Sequence, residues 1–137
     1  MNACILYFSA TGNTKKFAQA ISASLTLPIF NIEDIKPLAV KEYDLLIIGT
    51  PVHGMAPAKV ISSFVKKLLN TNNKKAIIFS TFAIRKGSAN KKLQKQLAEK
   101  GYTTLLETSK RGVRFGDEAF EDNIEQIQKI LQSSSET

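Results

Sequence analysis

Short, unbroken apolar runs separated by helix-spaced apolar stripes constrain this chain more than any other feature. Ala3-Cys4-Ile5-Leu6-Tyr7-Phe8, Tyr43-Asp44-Leu45-Leu46-Ile47-Ile48-Gly49 and Ala76-Ile77-Ile78-Phe79 are too short for ordinary helices and too continuously apolar for half-exposed strands. They predict strands buried on both faces. Pro28-Ile29-Phe30-Asn31 and Tyr102–Thr108 add two weaker strands. Between them lie stripes at helical spacing: Phe17, Ala18, Ile21 and Leu25; then Ile61, Phe64, Val65 and Leu68 within Ala58–Asn70. Leu93 and Leu97 mark a helix over Ser88–Lys100 that stops at Gly101. Phe120, Ile124, Ile127 and Leu131 mark one over Asp117–Gln132, with acids suited to its first turn. Ile32–Lys41 is ambiguous and reads as a short helix broken at Pro37.

Strands that alternate with helices pair in parallel through crossovers, so the expected fold is α/β: a doubly wound, five-stranded parallel sheet in a three-layer α/β/α sandwich. A chain of 137 residues, 43% apolar, predicts one domain over residues 1–132 with a short disordered tail at 133–137. Its single cysteine, Cys4, makes neither a disulfide nor a zinc site, and its place in a strand makes it core filler. No run is long enough to span a bilayer and no leader peptide is evident, so a cytoplasmic protein is expected.

Charge is uneven. Residues 59–114 carry eleven Lys and three Arg against Glu99 and Glu107, net +12, whereas residues 1–58 are balanced and 115–137 are acidic. This basic section is either a solvated lysine face or an attractor for acidic partners. Basic charge without interleaved aromatics or a known module argues against nucleic acid.

In open parallel sheets ligands bind beyond the carboxyl ends of the strands, here at loops 9–14, 50–57 and 80–87. The first joins a strand to a helix and reads Ser9-Ala10-Thr11-Gly12-Asn13-Thr14. Gly12 permits a tight turn, the amides at the helix start are unpaired, and three hydroxyls stand around them, which suits a terminal phosphate. Ordinary capping needs fewer hydroxyls. Asn13 after Gly12 excludes a Walker loop, and one glycine excludes a dinucleotide fingerprint. Ser9 and Gly49-Thr50 stand where a phospho-accepting receiver needs acids. A low-molecular-weight tyrosine phosphatase needs a Cys opening the loop and an Arg where Ala10 stands.

With Ser9, Thr11, Gly12 and Thr14 after the first strand, and Tyr43–Pro57 as third strand and following loop, the chain resembles the flavodoxin family in its short-chain form. The resemblance covers nearly the whole chain and implies strand order 2-1-3-4-5 with bound FMN. It implies that Ser9, Ala10, Thr11, Gly12, Asn13 and Thr14 surround the phosphate. Thr50, Pro51, Val52, His53, Gly54 and Met55 would line one side of the isoalloxazine, and Thr81, Phe82, Ala83, Ile84 and Gly87 the other. The His53–Gly54 peptide is the candidate to flip toward flavin N5–H on one-electron reduction, since Gly tolerates both backbone states. His53, the only histidine, is better explained as a flat wall than as a catalytic base, and Met55 either touches the ring or packs the loop. No catalytic or metal residue is assigned.

Three features set the chain apart from the family pattern. The flanking loops offer His53, Met55, Phe82 and Ile84 in place of large aromatics, loop 80–87 is cationic at Arg85 and Lys86, and the chain as a whole is basic. Cations near the flavin favour its anionic reduced form, so the second reduction step is expected to be less reducing than in acidic flavodoxins. The expected function is that of an FMN-binding electron-transfer protein. It would shuttle single electrons between redox proteins with acidic docking surfaces, such as a ferredoxin, a reductase or an acceptor oxidoreductase. The alternatives are a small FMN-dependent reductase of a quinone or other organic acceptor, and an FMN-free partner-binding domain.

Overall fold

A computed structural model describes residues 2–135. The strands are β1 (Ala3–Tyr7), β2 (Ile29–Asn31), β3 (Leu45–His53), β4 (Ala56–Pro57), β5 (Lys74–Phe82) and β6 (Tyr102–Arg111). The helices are α1 (Asn13–Leu25), α2 (Lys59–Lys66), α3 (Ala89–Glu99) and α4 (Glu121–Ser135). The ambiguous segment forms two 3-10 turns, Ile32–Asp34 and Pro37–Glu42, the first capped by Asn31, whose side chain accepts from Glu33 N–H.

The sheet order is β2-β1-β3-β5-β6, all parallel, with β4 antiparallel to the end of β3 and off that path. With β4 set aside this is the expected 2-1-3-4-5 order. Ile5 pairs with Ile47, and Ile47 with Ile77, so the central strands are in register across the sheet.

Because side chains alternate along a strand, each buried strand supplies both faces. Cys4, Leu6, Leu46, Ile48 and Ile78 pack against Ile61, Phe64 and Val65 of α2 and Leu93 and Leu97 of α3. Ile5, Leu45, Ile47, Ile77 and Phe79 pack against Phe17 and Ile21 of α1, Phe120 just before α4, and Ile124 and Ile127 of α4. Phe17 stacks on Phe120 at 4.3 Å and meets Phe79 at 4.8 Å, tying α1 to the turn that leads into α4 and to the sheet. Burying a side chain of this size contributes about 2–3 kcal/mol.

Several boundaries differ from the sequence reading, among them β5, which runs over Lys74–Phe82 where Ala76–Phe79 was expected. β3 and β6 continue past Gly49 and Thr108, because each finds a partner in β5: Thr50 and Pro51 pair with Ser80 and Thr81, and Ser109–Arg111 with Ser80–Phe82. α2 ends at Lys66, short of Asn70. α4 begins at Glu121, after a turn over 117–120, and runs through Ser135. Of the tail assigned to 133–137, three residues are therefore helical, and 136–137 lie outside the described residues.

Candidate functional site

The carboxyl ends of β1, β3, β5 and β6 open at one end of the sandwich, and the first loop there is built around Ser9. Its Oγ accepts from Gly12 N–H at 3.0 Å and from Lys15 N–H at 3.1 Å, bending the chain into α1. Gly12 caps the helix with φ 97° and ψ −12°, a left-handed conformation that an L-residue enters only at a cost. Lys16 N–H reaches Gly12 O at 3.0 Å. The amides of Thr11, Asn13 and Thr14 have no protein acceptor among the described residues. Three bare N–H groups lie at the positive end of α1, whose first turn holds no acid. That arrangement is a nest for an anion.

The hydroxyls divide differently from the sequence reading. The Ser9 oxygen shapes the loop, and its own proton remains free to donate. Thr14 is buried and its Oγ1 lies 2.8 Å from Thr81 Oγ1, a bond that joins the first loop to the end of β5. When Thr81 donates in that bond, the Thr14 proton is free for a ligand. Thr11 is exposed, and Asn13 donates through Nδ2 to Val113 O at 3.2 Å.

The second loop is a hairpin. Val52 pairs with Pro57 and His53 with Ala56, leaving Gly54-Met55 as a two-residue turn with φ 57° and 64°. Positive φ at both central residues is the type I′ turn that suits the twist of paired strands. Met55, lacking glycine's freedom, holds this conformation at a cost of about 1 kcal/mol. Thr50 is buried beneath the hairpin, where its Oγ1 donates to Pro51 O at 2.8 Å and accepts from Ala58 N–H at 2.9 Å. It pins the turn and the start of α2 and does not line the cleft. At the hairpin tip, Met55 lies against Gly87, so the second and third loops touch.

Between these loops lies a cleft of about 270 Å³. It is lined by Ala10, Thr11, Asn13, Pro51, Val52, His53, Thr81, Phe82, Ala83, Gly112 and Val113. Nine of the site residues expected from sequence thus converge, drawn from all three loops. Ser9, Gly12, Thr14 and Thr50 support the walls, and Gly54, Met55, Ile84 and Gly87 lie outside the lining. Gly112 and Val113, in a fourth loop after β6, are additions that the sequence reading missed. Gly112 N–H donates to Phe82 O at 2.9 Å and Arg111 Nε–H to Ala83 O at 3.3 Å, locking the fourth loop to the third. A glycine just beyond the last strand was the available signal, obscured because that strand was ended at Thr108.

The cleft is slightly smaller than ordinary small-molecule sites, so a larger ligand bound there stays partly in solvent. Its flat groups are His53 and Phe82. Among the described residues no three His, Cys, Asp or Glu side chains gather as metal ligands. Cys4 lies in the core away from the cleft. Burial, reinforced by the charge of Glu42, pushes its thiol up to about 12, so it stays protonated and inert.

The flavodoxin domain family matches residues 4–116. An uncharacterised protein of Methanocaldococcus jannaschii is 37% identical over 115 residues, spanning 82% of this chain and 76% of that protein. Among solved structures, the flavodoxin of Streptococcus pneumoniae superposes with a TM-score of 0.78 at 20% identity, covering 96% of this chain and 98% of that one. A flavoprotein from Lactobacillus acidophilus, solved in complex with FMN, gives 0.66 at 19% identity, covering 90% and 98%. At these identities the structural likeness speaks for the fold.

Proposed function

From the premise that the chain belongs to the flavodoxin domain family, we propose that it binds FMN and passes electrons singly between redox proteins. The observation that carries the reading is the set of unpaired amides at Thr11, Asn13 and Thr14 beside a cleft walled by His53 and Phe82. An FMN-free binding domain has no use for bare amides at that point, and the Lactobacillus acidophilus flavoprotein of the same fold holds FMN.

The residues present fit the group. The three amides and the hydroxyls of Ser9, Thr11 and Thr14 offer donors to a phosphate, and no carboxylate stands in the cleft lining to repel it. Val52 and His53 on one wall and Phe82 and Ala83 on the other would hold the ring system. The flavin, when bound, supplies the one-electron chemistry; the protein supplies position and electrostatics. The Thr14–Thr81 bond couples the phosphate end of the site to the ring end.

The hairpin refines the backbone response expected of this loop. The peptide whose reversal keeps the turn two residues long is Gly54–Met55, between the central residues, rather than His53–Gly54. Reversal converts type I′ to type II′, keeps Gly54 at positive φ, and releases Met55 from its left-handed conformation. The Gly54 carbonyl would then face the opposite way, as a hydrogen-bond acceptor the turn can present or withdraw.

The test is the visible spectrum of the protein purified with added FMN, followed by anaerobic photoreduction. A yellow protein with quenched flavin fluorescence that accumulates the one-electron-reduced flavin supports the carrier. Uptake of FMN with direct two-electron reduction and rapid turnover of a quinone makes it a reductase. A colourless protein overturns both.

A further inference from the structure

The basic section of the sequence is not spread evenly, and its position at the cleft carries more than its total. Residues 80–88 and 110–116, at the ends of β5 and β6 and in the loops beyond them, hold Arg85, Lys86, Lys110, Arg111 and Arg114 and no acid. The first turn of α1 adds Lys15 and Lys16, and residues 9–16 and 50–57 again hold no acid. Among the described residues the ion pairs are Lys91–Glu107 and Lys129–Glu125, so none of these cations is held in an ion pair; Lys86 and Lys110 share a shallow pocket with Glu107 and Asp122, and Lys16 one with Asp117, whereas Arg85, Arg111 and Arg114 line neither. The lysines of α3 are different: they occupy the solvent side of a helix, and Lys91 is paired.

The rim also surrounds apolar surface. Ile84 is 76% exposed and Val113 73%, the two most exposed large apolar side chains of the described residues, and Met55 is 50% exposed. All three sit on loops that wall the cleft, beside His53 and Phe82. An aliphatic centre ringed by unpaired cations has the anatomy of a protein-binding patch: an apolar core to be desolvated and a charged rim that steers approach.

We infer that the mouth of the cleft is a docking surface for an acidic protein, whose carboxylates meet Arg85, Lys86, Lys110, Arg111 and Arg114 around Ile84 and Val113. The inference rests on the flavin-binding reading and names the partner class for that site. Charge complementarity selects the occupant. The centre is aliphatic, with no exposed Phe, Tyr or Trp on which bases could stack, so a protein fits it better than a nucleic acid. The partner sits directly over the lining residues His53, Phe82 and Val113, which puts its redox group at the open side of the cleft.

The experiment uses the FMN-loaded protein and an acidic [2Fe–2S] ferredoxin as probe. Reduced ferredoxin gives up one electron and the flavin takes it, followed by stopped-flow absorbance. The second-order rate is expected to fall about tenfold or more as ionic strength rises from about 10 mM to about 300 mM. A Lys110→Glu/Arg114→Glu variant, which leaves FMN affinity unchanged, should lose about tenfold at low salt and show a much shallower salt dependence. A rate indifferent to salt and to the reversal overturns the inference. So does faster reaction with a basic cytochrome c, or a short single-stranded DNA that binds more tightly than the ferredoxin. If the protein takes up no FMN, the flavin reading fails by itself. The surface is then tested by titrating the flavin-free protein with ferredoxin: binding abolished by the charge reversal supports it, and absence of binding overturns it.

Discussion

Replacing Gly12 by alanine isolates the role of one backbone angle. A Cβ at this position meets no atom within 4 Å, so the substitution introduces no clash. What it changes is the cost of holding φ at 97°. For an L-residue that cost is about 1–2 kcal/mol. It divides between two observables. If the flavin-free loop keeps its shape, the whole cost appears as lost stability and FMN affinity is unchanged. If the loop relaxes to negative φ, the phosphate must restore the nest, and the cost appears as lost affinity, at most about 5- to 30-fold. Urea unfolding with and without FMN, together with fluorescence-quenching titrations, measures both parts. The FMN-loaded protein should lose the full amount in either case. Riboflavin, which has no phosphate, should lose no more than about twofold. Gly12→Asn, which enters the left-handed region more cheaply, should fall between wild type and alanine. Losses well above twofold that are equal for FMN and riboflavin would place the phosphate elsewhere and refute the reasoning.

Three other outcomes follow from the geometry. Met55→Gly removes the left-handed cost that reversal of the Gly54–Met55 peptide relieves, so it should lower the first one-electron potential by up to about 40 mV in a redox titration; an unchanged potential would detach the turn from the redox step. Arg85→Glu and Lys86→Glu should each make the second step more reducing by roughly 40 mV, on the basis of about 0.5 kcal/mol per exposed charge and a two-charge change, and a change in the opposite direction would contradict that electrostatic role. Burial holds the Cys4 thiol protonated up to about 12, against an ordinary 9.0, while the unfolded chain releases its proton earlier. Stability should therefore fall as pH rises from about 9 toward about 12, and Cys4→Ala should flatten that decline in denaturant titrations.

The layered sheet was legible because its signal is dense. Every residue of β1 and of Leu45–Thr50 is buried, and only a strand covered on both faces needs such a run. The nest was legible for the same reason: Gly12 and the hydroxyls around it lie within six consecutive residues. The hairpin was hidden because Gly54-Met55 lacks an Asn-Gly or Asp-Gly signature, and the left-handed Met55 is held by pairing on either side. The extra length of β3 and β6 depends on β5, a partner distant in sequence, so local pattern could not reveal it. Val113 was missed along with that length. A threonine's name does not tell which way its hydroxyl turns. Thr11 lines the cleft, whereas Thr50 is spent on Ala58 and Pro51.

The central claim is that the bare amides of the first loop take the phosphate while the cleft takes the ring. Amide NMR of the isotopically labelled, flavin-free protein tests it most directly. On titration with FMN, the resonances of Thr11, Asn13 and Thr14 should move together with those of Val52, His53, Phe82 and Val113. Riboflavin should move the second group and leave the first nearly still. Movement of neither group, or of residues such as Phe8 and Val60 on the far side of the hairpin, would contradict the account.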